Sequence, residues 1–176
     1  MSLLNRKGLG RSALMFGLAL SLAACFRPLY GPTASGERLD DVLAAIEVDP
    51  LQVPVSQERI AHYLRSELMF ELNGSGQPAP KRYKLQLAFA DRIQSPIVDT
   101  ATGRAQSATL VGDVSYTLLD GDRVVTRGKA TASATYDRFS QRFATVRAGR
   151  DAEIRLAKEL AEQIKTRLAA ALTAGV

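Results

Sequence analysis

The residues best suited to catalysis or metal binding are scarce. The chain contains one cysteine, Cys25, and one histidine, His62. Together they leave no ordinary zinc or transition-metal site, which needs three or four nitrogen, sulfur or carboxylate donors. They also cannot supply a Ser-His-Asp or Cys-His constellation. His62 lies three residues from Arg59 and from Arg65 on an expected helix, where a solvated side chain is the ordinary outcome. Gly74-Ser75-Gly76 follows that helix instead of opening one, so it cannot cradle a phosphate at a helix N-terminus. Counting leaves room for a paired-carboxylate hydrolase, yet most acidic residues fall in turns or on helix surfaces, where solvation is their role. The expectation is a protein that is not an enzyme and carries no metal or cofactor. What remains is binding. Arg92 and Arg104 lie in the segment Asp91–Ala105, and Arg127 and Lys129 share one face of an expected strand. Arginine offers a phosphate a bidentate fork and lysine a point charge, so these four are candidates for the phosphates of an anionic lipid. The same four also fit the ordinary charged outer face of a sheet.

Cys25 has a chemistry of its own, set by its surroundings. Asn5–Arg11 carries three cations, and Ala13–Leu22 is an apolar run of about ten residues with the length of a signal-peptide core. It is too short to cross a hydrocarbon layer as a helix, which takes ~20 residues. The run closes on Leu22-Ala23-Ala24-Cys25, small residues directly before the sole thiol, in the manner of a lipobox. Residues 1–24 are therefore expected to be a cleaved lipoprotein signal peptide, with Cys25 the acceptor of a diacylglyceryl group. Each buried acyl CH₂ contributes ~0.8 kcal/mol, so several chains anchor stably where one does not. Phe26 stands after the cysteine where an aspartate would favour the inner membrane, which points to the periplasmic face of the outer membrane.

The formal charge of +5 largely disappears with the leader. Without Arg6, Lys7 and Arg11, 20 of the 23 basic residues remain against 18 acidic ones, about +2. No Lys/Arg block with interleaved aromatics survives, so nucleic acid is not an expected partner.

The elements that must position these groups follow from periodicity. Residues 25–40, with Pro28 and Pro32, read as a stiff tether, and 41–176 as one periplasmic domain. A first strand is expected from Ala45 to Pro50, extending toward Val53, with Pro50 and Pro54 arguing for an edge position or an interrupted strand. Ser56 suits an N-cap, and Ile60, Leu64, Leu68 and Leu72 recur every four residues as an amphipathic helix ended by Asn73-Gly74. Tyr83, Leu85, Leu87 and Phe89 alternate with polar or small residues as a half-buried strand. Asp91–Ala105 is expected to be an extended loop or an irregular hairpin tip. Thr109–Leu119 and Val124–Tyr136 are strands joined by the turn Asp120-Gly121. Phe143, Val146, Ile154, Leu160, Ile164 and Leu168 belong to one apolar helical stripe, with Gly149 marking a kink or a start near Asp151. The order β-α-β-β-β-α predicts an α+β two-layer sandwich. Two amphipathic helices would cover one face of a roughly four-stranded, mixed but mainly antiparallel sheet.

Cys25-Phe26-Arg27-Pro28-Leu29-Tyr30-Gly31, the order of elements, Ser133-Ala134-Thr135-Tyr136, Phe143-Ala144, Asp151-Ala152 and a long C-terminal helix with Ile164 and Leu168 together resemble the LptE family of lipopolysaccharide-assembly lipoproteins. The resemblance covers most of the mature chain, and its most distinctive part is the segment after the cysteine. It implies a compact domain that plugs the lumen of an LptD-like outer-membrane β-barrel, aids its assembly and binds lipopolysaccharide on its way to the outer leaflet. Two other readings of a small lipidated domain are an auxiliary lipoprotein of a phospholipid or solvent transport system, and a cell-wall hydrolase.

Overall fold

The computed structural model describes residue 33 and residues 36–74, 79–94 and 106–175. The expected sheet and both expected helices form, preceded by a short helix. In chain order they are α1 (Leu39–Ala44), β1 (Ile46–Val48), a 3-10 turn (Val55–Gln57), α2 (Glu58–Leu72), β2 (Tyr83–Gln94), β3 (Ser107–Asp120), β4 (Arg123–Asp137) and α3 (Arg142–Ala174). The four strands lie in the order β1-β2-β3-β4. β1 pairs parallel to β2, and the other two ladders are antiparallel.

Alternation along the strands divides the sheet into two faces. Leu85 and Phe89 on β2, Leu110, Val114, Tyr116 and Leu118 on β3, and Ala130, Ala132 and Ala134 on β4 are buried against the helices. α3 packs on β4, whose inward side chains Ala130, Ala132 and Ala134 are small and buried. On the neighbouring strand β3 the helix also comes close, because a Cβ at Gly112 would stand 3.1 Å from Leu156 and 3.2 Å from Leu160. Two α3 side chains also donate to carbonyls of β4, Arg155 Nη2 to Thr135 (3.0 Å) and Gln163 Nε2 to Thr131 (3.2 Å). Covering an edge in this way keeps it from pairing with other chains.

The two long helices run parallel. Arg59 bonds Glu153 at the start of α2 with a 2.5 Å contact, and Lys165 bonds Glu71 near its end at 2.8 Å. Both partners are separated by 94 residues in sequence, so the pairs fix a single register between the helices. Leu64 and Leu68 of α2 and Leu160, Ile164 and Leu168 of α3 are completely buried. With α2 starting at Glu58, the first ten residues of α3 extend beyond it, an overhang of ~15 Å at 1.5 Å per residue.

Several expectations are corrected. Asp91–Gln94, expected in the loop or hairpin tip, belong instead to β2, where they pair with Thr109–Gly112. The alternation that marks a strand ends near Ala90, but the ladder to β3 carries the backbone further. β1 is only three residues long, and Leu39–Ala44 is helical, with Leu39, Val42 and Leu43 buried. Ser56 lies inside the 3-10 turn and caps nothing, since α2 follows Gln57 without a side-chain cap. α3 is unbroken through Gly149. Phe143, Val146 and Ile154, expected in the buried stripe, are exposed at 86%, 45% and 41%. Phe143 and Val146 continue the side of α3 that α2 covers, at positions that lie before α2 begins, while Ile154 stands beside the first turn of α2.

Candidate functional site: the open face and the two ends of the domain

The face of the sheet turned away from the helices is polar. β2 contributes Lys84, Gln86 and Arg92, β3 Asp113, Ser115 and Thr117, and β4 Arg127, Lys129, Thr131, Ser133 and Thr135. Arg127 and Lys129 are exposed, two residues apart on one side of β4, and opposite Thr117 and Ser115. Among the described residues neither has an ion pair. Lys129 acts on Asp113 only through its charge, at a distance beyond an ion pair.

Arg92 is placed differently. Its guanidinium pairs with Asp113, whose other oxygen accepts from Thr131 Oγ1 at 2.7 Å. These contacts hold the Asp113 carboxyl below the usual carboxylate range, the Thr131 hydroxyl first and Arg92 next. Arg92 lies opposite Val111, which lies opposite Ser133, so Lys129 is two strands away and four residues down β4. Strand spacings of ~4.8 Å and ~3.3 Å per residue put the two Cα atoms about 16 Å apart. Arg92 and the Arg127–Lys129 pair therefore share a face without forming one phosphate site. Arg104 and Cys25 lie outside the described residues.

His62 is an exposed helix residue beside the Tyr63 ring, its centroid 6.2 Å away, as a solvated side chain should be. Among the described residues no three His, Cys, Asp or Glu side chains gather as a metal site. No described helix is long and apolar enough to cross a membrane.

The two ends of the domain differ in how their charges are used. At the end where the chain enters α1, a cavity of about 790 Å³ is lined by α1, the end of α2, the start of β2 and Lys165. Its cations already have partners. Arg82 stacks 4.9 Å over the Tyr83 ring and bonds Asp120 at 3.1 Å, while Lys81 Nζ donates to the carbonyls of Ala44 and Ile46. At the other end lies the overhang of α3. Arg142, Arg147, Arg150 and Asp151 lie with Phe143, Val146 and Ile154 in a shallow groove. Phe139 just before the helix is also half exposed, at 53%. Sequence reasoning found the apolar spacing here but assigned it to the core, because periodicity reports the side of a helix and not how far a neighbouring helix extends along it.

A family model described as lipopolysaccharide-assembly, LptE, matches residues 43–168. A solved protein from Caulobacter crescentus, described as a candidate lipoprotein, is 27% identical. The match covers 74% of this chain and 92% of that one, with a TM-score of 0.57. A minor lipoprotein from Acinetobacter baumannii shares the fold at 17% identity and a TM-score of 0.52, covering 72% of this chain and 92% of its own. No curated protein matches the chain.

Proposed function

The chain belongs to the LptE lipopolysaccharide-assembly family of outer-membrane lipoproteins, and from that premise we propose that it partners and plugs an LptD-like β-barrel. In this reading it is anchored through Cys25 at the periplasmic face, aids the barrel's assembly and binds lipopolysaccharide bound for the outer leaflet. It acts by shape and surface, not by catalysis. The observation that supports this most is the open sheet face. One side of the sheet is covered by helices, while the other presents hydroxyls, an amide and mixed charges, a surface suited to the polar lumen of a barrel. On it, Arg127 and Lys129 are cations without ion pairs among the described residues, available to lipid phosphates. Arg92 and Arg104 complete the proposed lipopolysaccharide-binding set. Arg92 would have to exchange Asp113 for a phosphate.

The lipidated protein, tagged and recovered from detergent-solubilised outer membranes, should bring down a near-stoichiometric large β-barrel together with lipopolysaccharide. Recovery of an inner-membrane transport complex would instead assign it to phospholipid or solvent transport. Charge reversal at Arg92, Arg104, Arg127 and Lys129 should reduce lipopolysaccharide recovery without unfolding the domain, with Arg127→Glu and Lys129→Glu sufficient for most of the loss. Unchanged recovery in the quadruple variant would remove these residues from the site.

A further inference from the structure

We propose that the overhang of α3 is a docking surface for an anionic lipid bilayer, lying in the headgroup region with its apolar side toward the acyl chains. The surface is separate from the open sheet face and goes beyond the barrel-plug reading.

The sequence Arg138–Arg150 contains four arginines and no acidic residue. Among the described residues none of the four makes an ion pair, whereas Arg59, Arg82, Arg92, Arg155 and Lys165 elsewhere all do. Asp151, the one carboxylate lining the groove, is paired with Arg155 at 2.8 Å. Between these cations Phe143 is 86% exposed, and Phe139 and Val146 are each at least 45% exposed; Ile154, one turn beyond Arg150, adds a further exposed apolar side chain at 41%. An apolar stripe bordered by unpaired arginines is the pattern of an interfacial helix, whose apolar side enters the headgroup and acyl boundary while its long cations remain among the phosphates.

The overhang is also fixed in place. Thr145 Oγ1 accepts from the Phe139 N–H at 2.9 Å and donates to the Phe139 carbonyl at 3.0 Å, tying the approach to the helix onto its first turn. On the other side a Cβ at Gly149 would stand 3.7 Å from the Tyr136 ring of β4, an ordinary van der Waals distance. The groove is thus carried on an ordered support, with no folding left to accompany binding. A second copy of the chain is the poorer occupant, since a twofold contact would set the same four arginines against each other.

The chain contains no tryptophan, so Phe143→Trp makes a single reporter. The full chain carrying it, purified from membranes, would be mixed with phosphatidylcholine vesicles with or without phosphatidylglycerol. Its emission should shift to the blue and be quenched by brominated acyl chains only when phosphatidylglycerol is present, and added salt should reverse the shift. Val55→Trp, at a position 81% exposed that opens the 3-10 turn, should stay solvent-like throughout, which separates docking of the overhang from general anchoring. Adding Arg142→Glu, Arg147→Glu and Arg150→Glu should weaken the response about a hundredfold, from the attraction lost per cation. An unshifted Phe143→Trp, an equal shift on pure phosphatidylcholine, or indifference to the three reversals would overturn the proposal. A shift caused by lipopolysaccharide but not by phosphatidylglycerol would assign the overhang to the lipopolysaccharide site instead. Self-association abolished by Phe143→Ser would assign it to a second copy. Either result refutes bilayer docking.

Discussion

Gly128 occupies the inner face of the edge strand β4, directly opposite Tyr116. A Cβ at this position would stand 2.5 Å from the Tyr116 hydroxyl oxygen and 2.7 Å from Cζ, separations that packed side chains do not tolerate. Positive φ among the described glycines is confined to Gly36, Gly121 and Gly175, so the backbone at Gly128 suits any residue. The glycine is there for the ring above it. Tyr116 is 5% exposed, and burial pushes its phenol pKa up. Gly128→Ala should therefore gain roughly 0.5–1 kcal/mol from the lost flexibility of glycine. It should lose roughly 1–3 kcal/mol as the tyrosine is displaced within a packed interior. The net expectation is a loss of about 1–2 kcal/mol. Tyr116→Ala alone should cost roughly 3–5 kcal/mol, by analogy with other large aromatic truncations. In that background the clash is gone, and Gly128→Ala should become neutral or stabilising by up to ~1 kcal/mol. Urea unfolding of the four proteins, followed by circular dichroism, gives the cycle directly, provided the slopes stay constant. If Gly128→Ala stabilises the protein while Tyr116 is present, or if the two changes are additive, the glycine is not held by the ring and the reasoning fails.

Two further outcomes follow from the same geometry. Ile164→Ala should cost roughly 2–5 kcal/mol, as expected for a completely buried branched side chain. Phe143→Ala, on the same expected stripe but 86% exposed, should change stability by less than ~0.5 kcal/mol; equal losses in thermal unfolding would mean that the overhang is packed after all. Asp113 should titrate below the ordinary aspartate value, so its contribution is present above that value and disappears as pH falls through the lowered one. Carboxyl NMR should show Thr131→Val raising the Asp113 pKa more than Arg92→Gln does, because the Thr131 bond is the larger cause; the reverse order would contradict the assignment.

The parts of the fold that could be read from the sequence are those in which a local period reports a long-range contact. Tyr83 to Phe89 alternates because one face of β2 meets the helices, and Ile60 to Leu72 recurs every four residues because one side of α2 meets α3. Asp120-Gly121 required the hairpin, and Gly121 adopts a φ of 59°. What remained hidden depends on partners distant in sequence. The last turn of pairing in β2, Asp91–Gln94, is held by β3, and the short α1 is held by three apolar residues too few to show a period. The site was legible only in part. That Arg127 and Lys129 share a face follows from their spacing of two, but the capture of Arg92 by Asp113 depends on strand register, which spacing within β2 does not reveal. The exposure of Phe143 was unreadable for the same reason: it depends on where α2 begins.

That starting point also explains why the two ends of the domain differ. Pro54 and the 3-10 turn delay α2 until Glu58, and the two ion pairs at a common offset of 94 residues prevent the helices from sliding to cover more of one another. α3 therefore leaves the shared seam with its apolar side uncovered. If only helix continuation mattered there, polar residues would serve, and good helix formers such as alanine, glutamate and lysine would be favoured. The chain instead places phenylalanine and valine on the uncovered side and arginine around them, while the cavity at the opposite end has its cations matched to carboxylates and carbonyls. An exposed aromatic stripe bordered by unpaired cations contributes little to folding and increases the tendency to associate, a liability expected to persist only where something covers it. The charges around it require that the covering surface be anionic. The stability-neutral Phe143→Ala and the phosphatidylglycerol-dependent Phe143→Trp shift are thus two readings of one arrangement, the first testing that nothing within the domain covers the stripe and the second that an anionic bilayer does.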